Sequence, residues 1–202
     1  MTESTSDEIL MAAYQAGNQA AFNELFERYA GGVYGFLFRR LGDRSLAEDL
    51  YQEAFLRLHR ARRSYDTRRP FRAWLFAIVH NLLNDALRER RRKPGTEAFA
   101  SRPEGTLPES VDADFQPEPE SEEVSPEMRA SAREAATALT ACIRDLPPEE
   151  ATVLILARLE GLSYEEIATV IGRSPAATKQ LAYRALKRVR AEMTSDGHGE
   201  EP

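Results

Sequence analysis

Six side chains near the C-terminus pose the first chemical question. Lys179, Gln180, Tyr183, Arg184, Lys187 and Arg188 recur at intervals of three and four residues, which places them on adjacent turns of one helix surface. Cations so placed neutralise phosphates, while Lys179, Gln180 and Ser174, near the N-terminal end, can reach base edges in a major groove. A solvated basic helix would show the same charges. The residues just before it favour DNA: Gly172-Arg173-Ser174-Pro175 supplies a tight turn, an N-cap and a proline at the first helical position.

A second basic cluster, Arg88, Arg90, Arg91, Arg92 and Lys93, closes an earlier helix. Cations favour any helix C-terminus, so charge alone leaves its purpose open. On the face above it stand Trp74, Asn81, Asn84 and Arg88. An aromatic ring and amides are the means of holding unpaired bases of single-stranded DNA, although a lone tryptophan more often anchors a core.

Asp49, Gln52 and Glu53 share one face of a third helix. They are read either as a solvated face or as a docking surface, not as an acid–base pair, because no cleft or charged neighbour splits their proton affinities. His59, His80, His198 and Cys142 have no metal-ligand spacing, and neither a phosphate-cradling glycine loop nor a nucleophile elbow occurs. No catalytic residue, metal or cofactor is expected.

These groups need helices to hold them. Apolar period predicts a first helix from about Asp7 to Ala16 capped by Ser6, and a second from Gln19 to Arg40 closed by Gly42. A third should open at the capping box Ser45-Leu46-Ala47-Glu48, with Leu46, Leu50, Ala54 and Leu58 inward. A fourth, with Pro70 in its first turn, should run to Arg91 and bury Phe71, Leu75, Ile78, Val79, Leu82, Leu83 and Ala86. Toward the C-terminus the pattern gives Ser131–Asp145, Glu149–Glu160, Tyr164–Ile171 behind a capping box at Ser163 and Glu166, and Pro175–Met193 with Ala177, Leu181, Ala185 and Val189 inward. The last two have helix-turn-helix spacing. No strand pattern is found, so the fold class is all-α.

Net charge is −6 over 202 residues, a sign that taken whole argues against a nucleic-acid partner. By segment it does not: residues 1–93 carry 16 Lys and Arg against 12 Asp and Glu, or +4. Residues 94–133 carry 3 against 10, or −7, and residues 134–202 carry 8 against 11, or −3. The acidic stretch is rich in Pro, Glu and Ser, too polar to bury a core, and reads as a flexible linker. The expected organisation is therefore two small helical domains, 1–93 and 131–193, joined by an acidic linker over 94–130 and followed by a polar tail over 194–202. A single cysteine excludes an internal disulfide, no apolar run is long enough for membrane insertion, and Met1-Thr2-Glu3-Ser4 has no export pattern. A cytoplasmic location is expected.

Two stretches carry a resemblance. Asp49-Leu50-Tyr51-Gln52-Glu53-Ala54-Phe55-Leu56-Arg57 and Phe71-Arg72-Ala73-Trp74-Leu75-Phe76-Ala77-Ile78-Val79-His80-Asn81 resemble the DLxQExFLR and FxAWLxxIxxN stretches of the extracytoplasmic-function (ECF) group of bacterial sigma factors, within the sigma-70 family. Leu146-Pro147, Glu160-Gly161-Leu162-Ser163-Tyr164, Glu166-Ile167-Ala168 and Tyr183-Arg184-Ala185 are similar to that family's minus-35-binding domain. One block departs: where the family has GTVKSR, this chain has Ala176-Ala177-Thr178-Lys179-Gln180-Leu181, without the arginine.

The resemblance implies that residues 1–93 form region 2 and residues 131–193 region 4. It assigns Asp49, Leu50, Gln52 and Glu53 to docking on core RNA polymerase. Arg68, Arg69, Trp74, Asn81, Asn84, Arg88 and Arg91 would then bind the melted minus-10 element, and Ser174, Lys179, Gln180, Tyr183, Arg184, Lys187 and Arg188 the minus-35 duplex. An anti-sigma factor is a further partner it suggests. The expected function is that of an alternative sigma factor, not an enzyme. The competing expectations are a stand-alone helix-turn-helix regulator that binds duplex DNA without polymerase, and a helical adaptor with no affinity for DNA.

Overall fold

The computed structural model describes residues 5–92 and 138–195. Every regular element among them is helical: α1 Asp7–Gln15, α2 Gln19–Leu41, α3 Arg44–Ala61, a 3-10 turn Arg62–Ser64, and α4 Phe71–Arg92. Then come α5 over residues 138–145, α6 Pro148–Arg158, α7 Tyr164–Ile171 and α8 Pro175–Ser195. The expected linker over 94–130 and the start of the helix expected from Ser131 lie outside the described residues.

The helix ends follow local chemistry. The Ser6 hydroxyl accepts from the Ile9 N–H at 3.4 Å, capping α1. Gly42 takes a left-handed conformation at φ +63° and ends α2, a geometry that costs a residue with a Cβ more than it costs glycine. The next residue, Asp43, caps α3 by accepting from the Leu46 N–H at 3.1 Å. The capping box expected at Ser45 and Glu48 is therefore not used, and Glu48 pairs with Arg44 at 2.8 Å. Asp43 prevails because the turn at Gly42 delivers a charged acceptor directly to the positive end of the helix. Pro70 stands just before α4 rather than in its first turn; the free Phe71 N–H there is taken by the Glu8 carboxylate of α1 at 3.0 Å.

Side chains from α1 to α4 build one apolar core in which Leu25, Phe36, Leu37, Leu58, Phe71 and Phe76 are fully buried. At about 1.5–3 kcal/mol for each large side chain removed from water, this burial is what holds the helices in place. Ile78, expected inward, is half-buried, whereas Ala73 and Phe76 are buried in addition to the expected face. The reason is that α4 packs against α1, α2, α3 and also α7, so more than one stripe is covered. Phe76, for instance, meets Phe36 of α2 edge-on at 5.9 Å.

In the C-terminal part α7 opens on the expected capping box: the Ser163 N–H donates to Glu166 Oε2 at 2.8 Å, and the Glu166 N–H donates to Ser163 Oγ at 3.2 Å. The two halves of the chain touch. Arg72 Nη1 of α4 donates to the Glu160 carbonyl at 2.9 Å, and α2 packs on α6. A Cβ at Gly32 would meet the end of the Glu160 side chain, so a larger residue there would make that carboxylate shift. Burial raises the pKa of that carboxyl against the pull of Arg39 and Arg72.

Candidate nucleic-acid and polymerase interfaces

Helix α8 is built from its N-terminus. Ser174 Oγ accepts from the Ala177 N–H at 3.2 Å, and Thr178 Oγ1 donates to the Ser174 carbonyl at 3.0 Å. Its buried face is Thr178, Leu181, Ala182, Ala185 and Val189. Ala177, expected inward, is half-buried, and Thr178 and Ala182 join the buried face. Thr178 tolerates full burial because its hydroxyl is satisfied within the helix. Leu181, at the position of the arginine in the family pattern, is buried as well, so it packs the helix and presents nothing to a groove.

The opposite face of α8 carries Lys179, Gln180, Tyr183, Arg184, Lys187 and Arg188, all exposed, with Tyr183 70% accessible. Lys179, Gln180, Tyr183 and Arg184 line one surface depression. Beneath the helix lies a group that periodicity did not single out. The Glu150 carboxylate of α6 lies 3.4 Å from Arg184 Nε and 3.1 Å from Arg188 Nε. Its neighbour Glu149 pairs with Arg173 of the turn at 2.6 Å. In the sequence both glutamates are explained by the dipole of the helix they begin, which hides their second use.

The second region is α4 and the loop before it. Gln15 Nε2 donates to the Arg62 and Tyr65 carbonyls at 2.7 and 2.8 Å, and the Tyr65 hydroxyl donates to the Arg69 carbonyl. Asp66 grips Arg68 through Nε at 2.9 Å and Nη2 at 3.0 Å, and this bonding holds the Asp66 carboxyl down at about 2. The loop is thus tied to the helices on both sides, which leaves Arg68 and Arg69 exposed at its rim. Trp74 is half-buried, with its ring 4.8 Å from that of Tyr65 and 6.0 Å from that of Phe71. This is an anchor for the loop, in keeping with the commoner role of a single tryptophan.

Asn81 and Arg88 are exposed on α4, Arg88 with a distant pair to Asp85 at 3.7 Å. Asn84 is half-buried and turned to the His80 ring, 3.2 Å from Nε2. Burial and the neighbouring Arg40 lower the pKa of His80. Of the terminal arginines, Arg90 is held by Asp43 at 2.6 Å, while Arg91 and Arg92 are exposed. The predicted set therefore divides: Asn81, Arg68, Arg69, Arg88 and Arg91 are exposed, whereas Trp74 packs on Tyr65 and Phe71 and Asn84 meets His80.

On α3, Asp49 and Gln52 are exposed and Glu53 is half-buried, paired with Arg57 at 2.8 Å and Arg60 at 3.9 Å. Leu50, grouped with them from the sequence, is 2% exposed and belongs to the core beneath that face. Among the described residues, no group of three or more His, Cys, Asp or Glu could hold a metal ion, and no helix is long and apolar enough to cross a membrane.

Comparison with known proteins converges on one family. Residues 25–93 match the model of sigma-70 region 2, and residues 136–189 that of sigma-70 region 4. The chain is 34% identical over 180 residues to the RNA polymerase sigma factor CarQ of Myxococcus xanthus, covering 89% of this chain and 93% of that protein. It is 30% identical over 193 residues to the ECF RNA polymerase sigma-E factor of Escherichia coli K12, covering 94% of this chain and 95% of that one. Among solved structures, CnrH in complex with the cytosolic domain of CnrY superposes with a TM-score of 0.66 at 25% identity, over 95% of this chain and 99% of that chain. The fold is shared also with sigma factor RpoE of Bartonella quintana in complex with the anti-sigma factor NepR, at a TM-score of 0.62 and 18% identity, over 87% and 98%. The chain belongs to the ECF group of the sigma-70 family, as an alternative sigma factor that directs transcription with RNA polymerase.

Proposed function

We propose a division of labour among the three surfaces. The α3 face of Asp49, Gln52 and Glu53 docks on core polymerase. Asn81, flanked by Arg68, Arg69, Arg88 and Arg91 and supported by Trp74 and Asn84, holds a separated strand at the minus-10 element. The α8 face, from Ser174 to Arg188, grips the minus-35 duplex. The observation that carries this reading is the exposure of both the amide-and-arginine stripe and the α8 cations, on helices whose opposite faces are buried in the core.

Initiation chemistry belongs to the polymerase, so the role is non-enzymatic and cytoplasmic. No cofactor enters it. An anti-sigma factor, as seen with RpoE of the same fold, is a fitting further partner. The experiment is reconstitution of the full chain with core polymerase and transcription from genomic fragments. Discrete start sites are expected; specific duplex binding without polymerase, and no new transcripts with it, would establish the stand-alone regulator instead.

The contact between α4 and α7 describes the chain off the polymerase in this reading. Elements at minus-10 and minus-35 are centred about 25 base pairs apart, roughly 85 Å at 3.4 Å per pair. Helices α4 and α8, both joined to α7 by packing, cannot span that distance. The intervening residues 93–137 can, since their extended length is roughly 150 Å. Fluorophores at the exposed positions 85 and 192, in a Cys142→Ser background, should transfer energy in the free protein and lose most of it on binding core polymerase and promoter. Unchanged transfer in a transcribing complex would refute the separation.

A further inference from the structure

We propose that Glu150 is a positioning residue for minus-35 reading, which sets the direction of the Arg184 and Arg188 guanidinium groups before DNA arrives. The inference rests on the reading of α8 given above. Its basis is the contrast between the partners: the Glu150 side chain is 5% exposed, and each arginine side chain is 58% exposed. The carboxylate lies under the helix, and the cations extend over it into solvent. Each carboxylate oxygen faces one arginine, Oε1 toward Arg184 and Oε2 toward Arg188, and in both the approach is through Nε. An arginine has five N–H donors, so one held at Nε keeps its terminal nitrogens for a phosphate or a guanine edge.

Physical chemistry gives each member of the triad a reason to stay. A buried carboxylate is costly unless paired. Two cations four residues apart on a helix repel each other, and a shared anion removes that repulsion. Both contacts are ion pairs rather than hydrogen bonds, and Oε2 has no hydrogen-bond partner among the described residues, so they constrain by charge and leave the guanidinium groups turned to the exterior. Glu149, on the exposed side of α6, adds a hydrogen-bonded pair to Arg173 of the preceding turn at 2.6 Å. The neighbouring carboxylates of α6 thereby register the whole reading head of α8. Recognition groups held in one geometry discriminate better than mobile ones, because a misplaced base then loses contacts that cannot be remade.

The test uses the full chain assembled with core polymerase. The probes are a duplex bearing the minus-35 element of a promoter recovered by transcription of genomic fragments, and the same duplex with that element scrambled. Glu150→Gln should lower the preference for the first over the second about tenfold. It should also steepen the salt dependence of binding to the scrambled duplex by about one phosphate-equivalent, because two cations lose their internal anion. In an Arg184→Ala, Arg188→Ala background, Glu150→Gln should have no further effect on discrimination.

Unaltered discrimination in a Glu150→Gln protein with wild-type helicity would overturn the proposal. So would an equal loss in the double-arginine background, which would mark Glu150 as a structural residue only. If Glu150→Gln does not fold, Glu150→Met fills the same space without charge and is read by the same measurements. Failure of the underlying reading is distinct: Arg184→Ala with Arg188→Ala would then leave minus-35 preference intact.

Discussion

Replacing Asn81 by alanine should leave the sigma factor bound to core polymerase while open-complex formation falls about tenfold to a hundredfold. The amide is exposed on α4 and has no partner among the described residues. Alanine therefore removes no internal bond and keeps the helix, since it is the best helix former. What it removes is a paired donor and acceptor able to meet the edge of an unstacked base, which is worth about 1–3 kcal/mol. Each 1.4 kcal/mol is a factor of about ten. Asn84→Ala should be milder in melting, because that amide is engaged with His80. Permanganate reactivity of unpaired thymines, beside a polymerase-binding assay, separates the two steps; equal loss in both would assign Asn81 to folding or docking rather than to the separated strand.

That contrast shows what one chain of letters reveals and what it conceals. Asn81 and Asn84 fall on the same helical stripe, and periodicity assigns them together. In the fold Asn84 meets His80, on the preceding turn of α4, whose surroundings include Arg40 of α2. Signals confined to a few consecutive residues were legible: the capping box of Ser163 and Glu166, the glycine at 42 and the proline that opens α8. Signals that arise when distant helices meet were not. Glu8 caps α4 from α1, Asp43 holds Arg90 across 47 residues, and Glu150 takes two arginines of a helix that begins 25 positions later. The cap of α3 is Asp43 and not the expected Ser45, a choice that depended on a backbone turn whose angle no side-chain pattern states. The family resemblance extended the site to Arg68 and Arg69, yet it could not show that Asp66 already holds Arg68. It also grouped Leu50 with the docking face, although alternation along α3 puts that side chain in the core.

The docking face itself predicts the other large effect. Asp49→Arg should weaken binding to core polymerase at least a hundredfold while helicity and melting temperature stay near wild type. Asp49 is exposed and has no ion pair among the described residues, so reversal of its charge breaks nothing inside the protein. An acidic and amide surface fits a basic partner, and a like charge placed opposite such a partner costs several kcal/mol. Glu53 gives the internal control. Its carboxylate already serves Arg57 and Arg60, so part of its charge is spent within α3, and Glu53→Gln should cost the complex less than reversal at Asp49. Loss at Asp49 should also weaken as salt rises and screening shortens the reach of the field, to about 8 Å at physiological ionic strength. Competition for limiting core polymerase against a second sigma factor measures all of this. An Asp49→Arg protein that competes as well as wild type would move the docking surface off α3 and leave the face of Asp49, Gln52 and Glu53 as plain solvated polarity.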